Sequence, residues 1–438
     1  MKWIGEDLRP LLPFYLVMFL DSIGSGIVTI LSIVAKQDLG CSNFQVGMIW
    51  TGFNAAQIIG SISMGYLSDR IRRKYVLALT LAWIGTGYLL TAFANSFTLF
   101  LMSRIFTGLC GGSFPIIAAI LSTQVSADRF PVAIGRLGTV ASLGFAIGPL
   151  LSGAMTAIFD INPVSSPFYL QRLYFFVAAF VYWTACSLAL FVPAHLTPAQ
   201  SSDLKELSKG CLTSGLTLVW LSRFLATCGV TAVYVTQVFL WDGFLGLSRV
   251  AIELTVTASG LTVSAVQGIL FPWLVCRTKS CHGPLALGII LIAVSNTIIG
   301  PITLTGSLPL HYTCLVIFWV GIGLMEPGAP VAVTRHLEQS KRILNPGKRP
   351  RIHTGFAMGM TSAMKYAASL AIPMAAGYVF DHYNVITYYM SGGIAFGGVV
   401  SVCIAWRIFI NRDHEMMDVV DSVGSTHADE KPPTPLNV

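Results

Sequence analysis

Gly65-Tyr-Leu-Ser-Asp69-Arg70-Ile-Arg72-Arg73-Lys74 lies between two apolar stretches, each long enough to cross a bilayer. Four cations and one acid packed between hydrophobic spans decide several things at once. Lys and Arg near the ends of spans remain on the cytoplasmic side, so this stretch is an inner loop. Its shortness makes the flanking helices antiparallel neighbours. Gly65, near the end of the second span, has no side chain and lets another helix approach closely.

The remainder of the chain agrees with a membrane setting. Of its 438 residues 54% are apolar and only 11% charged, and the mean hydropathy is +0.71. A soluble protein carries about 25% charged residues. The net charge of +7 reflects loop topology, because no basic stretch is interleaved with aromatics as a nucleic-acid surface requires. Nine cysteines are scattered without metal or redox spacing. The closest pair, Cys276 and Cys281, falls on a loop assigned to the reducing cytoplasm. The first apolar run is too long for the core of a cleavable signal peptide and reads as a span.

Apolar runs of spanning length fall near 11–35, 44–67, 75–94, 97–120, 136–158 and 169–192, and again near 214–239, 253–276, 284–305, 310–333, 354–380 and 386–410. Residues 1–10 are an inner tail, 193–213 a polar linker between two six-helix bundles, and 411–438 an acidic tail expected to be disordered. Charge provides an independent check on this count. With both ends inside, inner segments hold 21 of the 27 Lys and Arg, and outer loops hold only Lys36, Arg172 and Arg249. Adding or removing one span destroys that asymmetry. The halves also repeat: Pro149-x-x-x-Gly153 recurs as Pro373-x-x-x-Gly377, and Asp69-Arg70-Ile-Arg72 has a worn copy, Cys276-Arg277-Thr-Lys279, that lacks the acid. The fold expected is all-α, with twelve transmembrane helices in two pseudo-symmetric bundles.

The loop from Gly65 to Lys74 resembles the signature of the major facilitator superfamily, with Arg72 in place of its second glycine. The fifth span reads Gly144-Phe-Ala-Ile-Gly148-Pro149-Leu-Leu-Ser-Gly153, similar to the motif of the superfamily's proton-coupled efflux antiporters. Leu20-Asp21-Ser-Ile-Gly24-Ser-Gly26 resembles the first helix of tetracycline/proton antiporters, although Ile30 and Ile33 replace two prolines. Gln57 also falls where those proteins carry Gln. Arg104, in Ser103-Arg104-Ile-Phe-Thr-Gly108, matches their Arg-x-x-x-Gly pattern. The loop Asp128-Arg129 to Arg136 recurs in the family too. The resemblance implies a latch of Gly65, Asp69, Arg70, Arg73 and Lys74 between the bundles; the same charges also read simply as topology signals.

Physical placement adds to the resemblance. Asp21 lies about ten residues into its span, roughly 15 Å deep at 1.5 Å per residue. A carboxylate at that depth is costly and marks function. Arg104 reaches a similar level; an Arg near a buried carboxylate biases its protonation, and a rearrangement that separates them removes the bias. A static ion pair is the alternative. Glu326 and Lys365 lie about one helical turn apart on neighbouring spans, a structural pair or a ligand pair. Arg223 either snorkels to the inner headgroups or lines a central path, together with Asn54, Gln57, Tyr234, Gln237, Gln267 and Asn296. The basic loop 335–353 faces anionic lipid or serves topology alone.

No P-loop, HExxH or triad grouping is present, so an enzyme or ATP-driven pump is not expected, and neither is a cofactor or metal. The expected function is secondary transport of a small organic solute by alternating access, with proton antiport and a functional monomer. Asp21 is the expected protonatable group and Arg104 its electrostatic partner. A facilitator or proton symporter shares the same fold motifs, and a non-transporting receptor or scaffold is the reading from another class. The host is the plasma membrane or an organelle membrane, and the substrate is not legible.

Overall fold

The computed structural model describes residues 10–28, 31, 34–35, 39–126, 128–159, 172–193, 214–243, 245, 249–278, 280–343, 354–383 and 386–428. The linker 194–213, Ile30, Ile33, Lys36 and most of the loop 335–353 lie outside them. The helices follow the twelve apolar runs. In the first half they are α1 Leu12–Ile27, α2 Asn43–Ser68, α3 Arg73–Phe93, α4 in two pieces (Phe97–Gly108 and Ser113–Gln124), α5 Phe130–Ile158 and α6 Leu173–Phe191. In the second half they are α7 Ser214–Gly243, α8 (Arg249–Ala265 and Phe271–Thr278, joined by a π-turn at Val266–Leu270), α9 His282–Leu304, α10 Leu308–Ile343, α11 Thr354–Tyr383 and α12 Ile386–Ala428.

Among the described residues, nine spans are long and apolar enough to cross a membrane, and α1 is a shorter apolar helix. The other two, α2 and α11, are more polar because they face each other inside the molecule. Ser42 starts α2 with a reciprocal cap: its hydroxyl accepts from the Gln45 amide at 3.3 Å, and Gln45 Oε1 accepts from the Ser42 amide at 2.9 Å. Large apolar side chains such as Phe180, Phe191 and Ile269 point outward, as a lipid-facing belt requires.

Packing repeats with an offset of six helices. In the first half α1 packs on α5 and α6, α3 on α6, and α2 on α4; in the second α7 packs on α11 and α12, α9 on α12, and α8 on α10. The bundles meet through α2 with α11 and α5 with α8, which is the same pair exchanged by the pseudo-symmetry. This is the twelve-helix architecture expected from the charge asymmetry and the repeats.

Two boundaries differ from the hydropathy reading. α10 continues past residue 333 to Ile343, and α12 past Asn411 to Ala428, so the disorder expected from residue 411 does not describe the first part of the tail. Hydropathy marks where a helix leaves lipid, whereas the hydrogen-bond ladder carries on through the polar residues beyond it.

Candidate functional site

A cavity of about 650 Å³ lies between the bundles. Its walls come from α1 to α6 on one side and from α7, α8, α10 and α11 on the other. That volume suits a drug-sized ligand.

On the first wall, Asp21 is 7% exposed and lines the cavity. α4 is broken at 109–112, where Gly111 and Gly112 sit. The break brings Ser113, the first residue of the second piece, to the carboxylate: Ser113 Oγ donates to Asp21 Oδ2 at 2.9 Å. The amide end of that half-helix thus faces the acid, and its dipole favours a negative charge there. Tyr182 adds support, donating to the Asp21 carbonyl at 3.0 Å and sharing a 2.8 Å hydrogen bond with Ser25. Ser113 and Tyr182 were not singled out from the sequence. The glycines before Ser113 signal a helix break, but nothing local marks Tyr182.

Arg104 makes no ion pair with Asp21 among the described residues. Its guanidinium lies 4.3 Å from the ring centre of Phe53 and 4.9 Å from that of Tyr88. Tyr88 stacks on Tyr182 with centroids 5.3 Å apart. Arg104 thus rests on Tyr88, whose stacking partner Tyr182 bonds the Asp21 backbone, and the expected direct ion pair is not formed among the described residues. Helix depth placed the two at similar heights but carried no information on what each side chain meets.

On the second wall, Glu326 gathers two cations. Arg223 Nη2 lies 2.6 Å from Oε2, and Lys365 Nζ 3.5 Å from Oε1. The Lys365–Glu326 pair is as its spacing suggested, and Arg223 joins it rather than snorkelling outward. Tyr366 lines the cavity and lies within electrostatic reach of both Asp21 and Glu326; it too escaped the sequence reading. Gln57, Tyr234, Gln237 and Gln267 all line the cavity. Asn54 does not: its amide turns back to the Trp50 carbonyl at 2.9 Å. Asn296 bonds the Gly229 carbonyl at 3.1 Å and joins α9 to α7.

The residues of the expected latch join α2 to α11. Asp69 accepts from the backbone amides of Gly355 and Phe356, each at 2.9 Å, at the start of α11. Arg73 Nη2 lies 3.4 Å from the same carboxylate, and Nη1 donates to the Ala119 carbonyl at 2.6 Å and to Thr123 at 3.0 Å. Arg70 instead sits 4.0 Å from the centre of the Tyr66 ring, and Lys74 bonds the Val192 carbonyl at 3.3 Å. Arg73, rather than Arg70, is therefore the cation beside Asp69. A β-carbon on Gly65 would lie 2.5 Å from the Gly355 carbonyl oxygen, so only glycine permits this contact.

Other polar contacts also cross between the bundles. Gln267, carried on the π-turn of α8, accepts from Ser142 Oγ at 2.9 Å, and Ser264 bonds the Thr139 carbonyl at 3.1 Å. Arg335 lies 3.4 Å from Asp128. Within the first bundle, Gly144 packs on the Phe19 carbonyl and Gly148 on the backbone of Gly26, so these glycines hold α5 tightly against α1. Pro149 lies inside the continuous α5. A β-carbon on Gly153 would meet nothing within 4 Å, so this last motif glycine is not needed for that crossing.

A family model described as Major Facilitator Superfamily matches residues 14–344. The chain belongs to the Major Facilitator Superfamily. It is therefore a multi-pass membrane protein of a transporter family, not an enzyme. The chain is 25% identical over 167 residues to an uncharacterized MFS-type transporter of Methanocaldococcus jannaschii, an alignment covering 38% of this chain and 42% of that protein. It is 22% identical over 395 residues to multidrug resistance protein 1 of Bacillus subtilis, covering 89% of this chain and 94% of that one. Among solved structures, the human organic anion transporter MFSD10 superposes with a TM-score of 0.71 over 91% of this chain and 100% of its own, at 17% identity. That likeness speaks for the fold alone.

Proposed function

We propose that this superfamily member is a proton-coupled secondary transporter of a small organic solute, working as an antiporter with Asp21 as the group that takes up and releases the proton. The carrying observation is the seat of Asp21: it is on the cavity wall, held by Ser113 Oγ at 2.9 Å and without an ion-pair partner among the described residues. A carboxylate free of a cation changes charge state without first breaking a salt bridge. Arg104 acts on it through Tyr88 and Tyr182, as a positioning residue.

With both termini on the cytoplasmic side, a reading the distribution of Lys and Arg supports, the Asp69 latch closes the cytoplasmic end. The conformation described is then the one that opens outward. Rocking of one bundle on the other, pivoting at the glycine contacts, exposes the same cavity to the other side. The tight α1–α5 crossing at Gly144 and Gly148 favours exchange, as does the likeness to a multidrug resistance protein. A cavity of about 650 Å³ speaks against a plugged receptor or scaffold.

Cotransport is a second reading, favoured by one observation. With a proton on Asp21, the cavity holds Arg223 and Lys365 against Glu326 alone, a positive balance that attracts an anion. The test is flux in proteoliposomes under an imposed pH gradient, with a panel of aromatic organic anions and cations as probes. Antiport concentrates the solute on the acid side; cotransport concentrates it on the alkaline side. Indifference to the gradient overturns both.

A further inference from the structure

The second wall of the cavity carries more hydrogen-bond donors than it can use. Arg223 Nε and Nη1, Thr227 Oγ1, Gln237 Nε2 and Trp319 Nε1 have no hydrogen-bond partner among the described residues. All four residues line the cavity, and all are at least nine-tenths buried, at 4%, 4%, 3% and 3% exposure. Arg223, Thr227, Tyr234, Gln237 and Trp241 recur at helical spacing and define one face of α7. An arginine, an amide nitrogen and an indole nitrogen can only donate, and the threonine hydroxyl can do so.

The one carboxylate on this wall is already engaged by two cations. Glu326 Oε2 is engaged by Arg223 at 2.6 Å and Oε1 by Lys365 at 3.5 Å. Two cations thus face one acid, which leaves a surplus positive charge. The Lys365 side chain is 44% exposed and uses one of its three donors on Glu326. A positively charged ligand is repelled by that surplus, whereas a negatively charged one meets Lys365 first and the buried donors after small side-chain rotations. Each donor it reaches relieves the cost of a buried unpaired group. Beside them, Tyr234, Trp241 and Trp319 offer flat apolar surface.

We propose that the α7–α10–α11 wall is a subsite for the anionic head of an amphipathic organic acid, a carboxylate or sulfonate carrying a flat apolar body. Lys365 and Arg223 receive the head, Gln237 and Thr227 bind its further acceptor atoms, and the aromatic side chains hold the body. This rests on the reading of the chain as a transporter with one central cavity, but not on its proton coupling. Asp21 lies on the opposite wall, so the proton and the ligand occupy separate groups.

The experiment is equilibrium binding to the full chain in phosphatidylcholine nanodiscs, with empty nanodiscs as reference and no pH gradient. The probes are naphthalene-1-sulfonate and naphthalen-1-ylmethylammonium, which share a ring system and differ in charge. The sulfonate is expected to bind at least about tenfold more tightly, and Lys365→Gln to weaken it by about the same factor, one charge-assisted bond's worth. Lys365→Arg restores the binding, which separates charge from misfolding. Gln237→Leu, which removes an unpaired donor and no structural bond, weakens the sulfonate about threefold, near the value of one neutral hydrogen bond. Preference for the ammonium, equal binding of the two probes, binding of neither, or a sulfonate affinity unchanged in Lys365→Gln overturns the proposal. A proton-driven flux that survives any of these leaves the transport reading standing; sulfonate preference without such flux does the reverse.

Discussion

On the first wall of the cavity one carboxylate, Asp21, is held by a hydroxyl at 2.9 Å, and the expected cation Arg104 rests on Tyr88, which stacks on Tyr182. On the second wall Glu326 is clamped by a guanidinium at 2.6 Å and an ammonium at 3.5 Å. Both acids line the cavity, yet only Glu326 is paired with cations among the described residues. Protonating Glu326 leaves two cations uncompensated in a medium of low dielectric, which is costly. Protonating Asp21 leaves only neutral donors behind. That difference is the ground on which we propose the first wall for the proton and the second for the solute.

The largest effect is expected where the two walls are tied together. Asp69→Ala removes two charge-assisted hydrogen bonds to the start of α11, each worth about 1.5–3 kcal/mol. Loss of roughly 3 kcal/mol shifts the balance between the two openings by about a hundredfold. Flux in proteoliposomes is expected to fall, and a cysteine placed at Ser142 to become reactive to reagent from the Asp69 side. Unchanged flux and reactivity separate the latch from the motion of the walls.

The walls themselves are compared through stability. Glu326→Gln leaves Arg223 buried against a neutral partner and is expected to destabilise the protein by about 2 kcal/mol, less than a fully buried pair because the acid is partly exposed. Arg223→Met combined with Glu326→Gln recovers most of that loss. Asp21→Asn, which abandons no cation, changes stability by less than about 0.5 kcal/mol. Thermal unfolding in detergent measures all three, and equal costs for the two acids break the comparison.

A last pair of substitutions, away from the two walls' acids, sharpens the reading of α5. Gly148→Ala forces a side chain into the Gly26 backbone and costs about 1–3 kcal/mol. Gly153→Ala meets nothing and gains about 0.5–1 kcal/mol through helix propensity. If the two substitutions behave alike in thermal unfolding, the α1–α5 crossing is not what the motif secures.

The architecture was legible because lipid imposes it. Apolar length and the sidedness of Lys and Arg are one-dimensional signals, and they located twelve helices and the loop at Asp69. Spacing along helices also foresaw the Lys365–Glu326 pair, since both residues lie at computable depths. What was not legible depends on rotation about a helix axis. Asn54 falls at the right depth but turns back on its own helix, and Arg104 lies at the level of Asp21 yet rests on Tyr88. Ser113 and Tyr182 reach Asp21 from helices distant in sequence, through a break in α4 and a stacked pair of rings that no local pattern announces. Which of the loop's cations meets Asp69 was not legible either: Arg70 lies on the ring of Tyr66, whereas Arg73, the first residue of α3, reaches the carboxylate.

The central claim is that Asp21 carries the proton, and the most direct measurement compares wild type with Asp21→Asn in proteoliposomes, in gradient-driven flux and in exchange at equal pH. The account predicts that the variant still exchanges solute across the membrane but no longer responds to the pH gradient. Gradient-driven accumulation that persists in Asp21→Asn would contradict it.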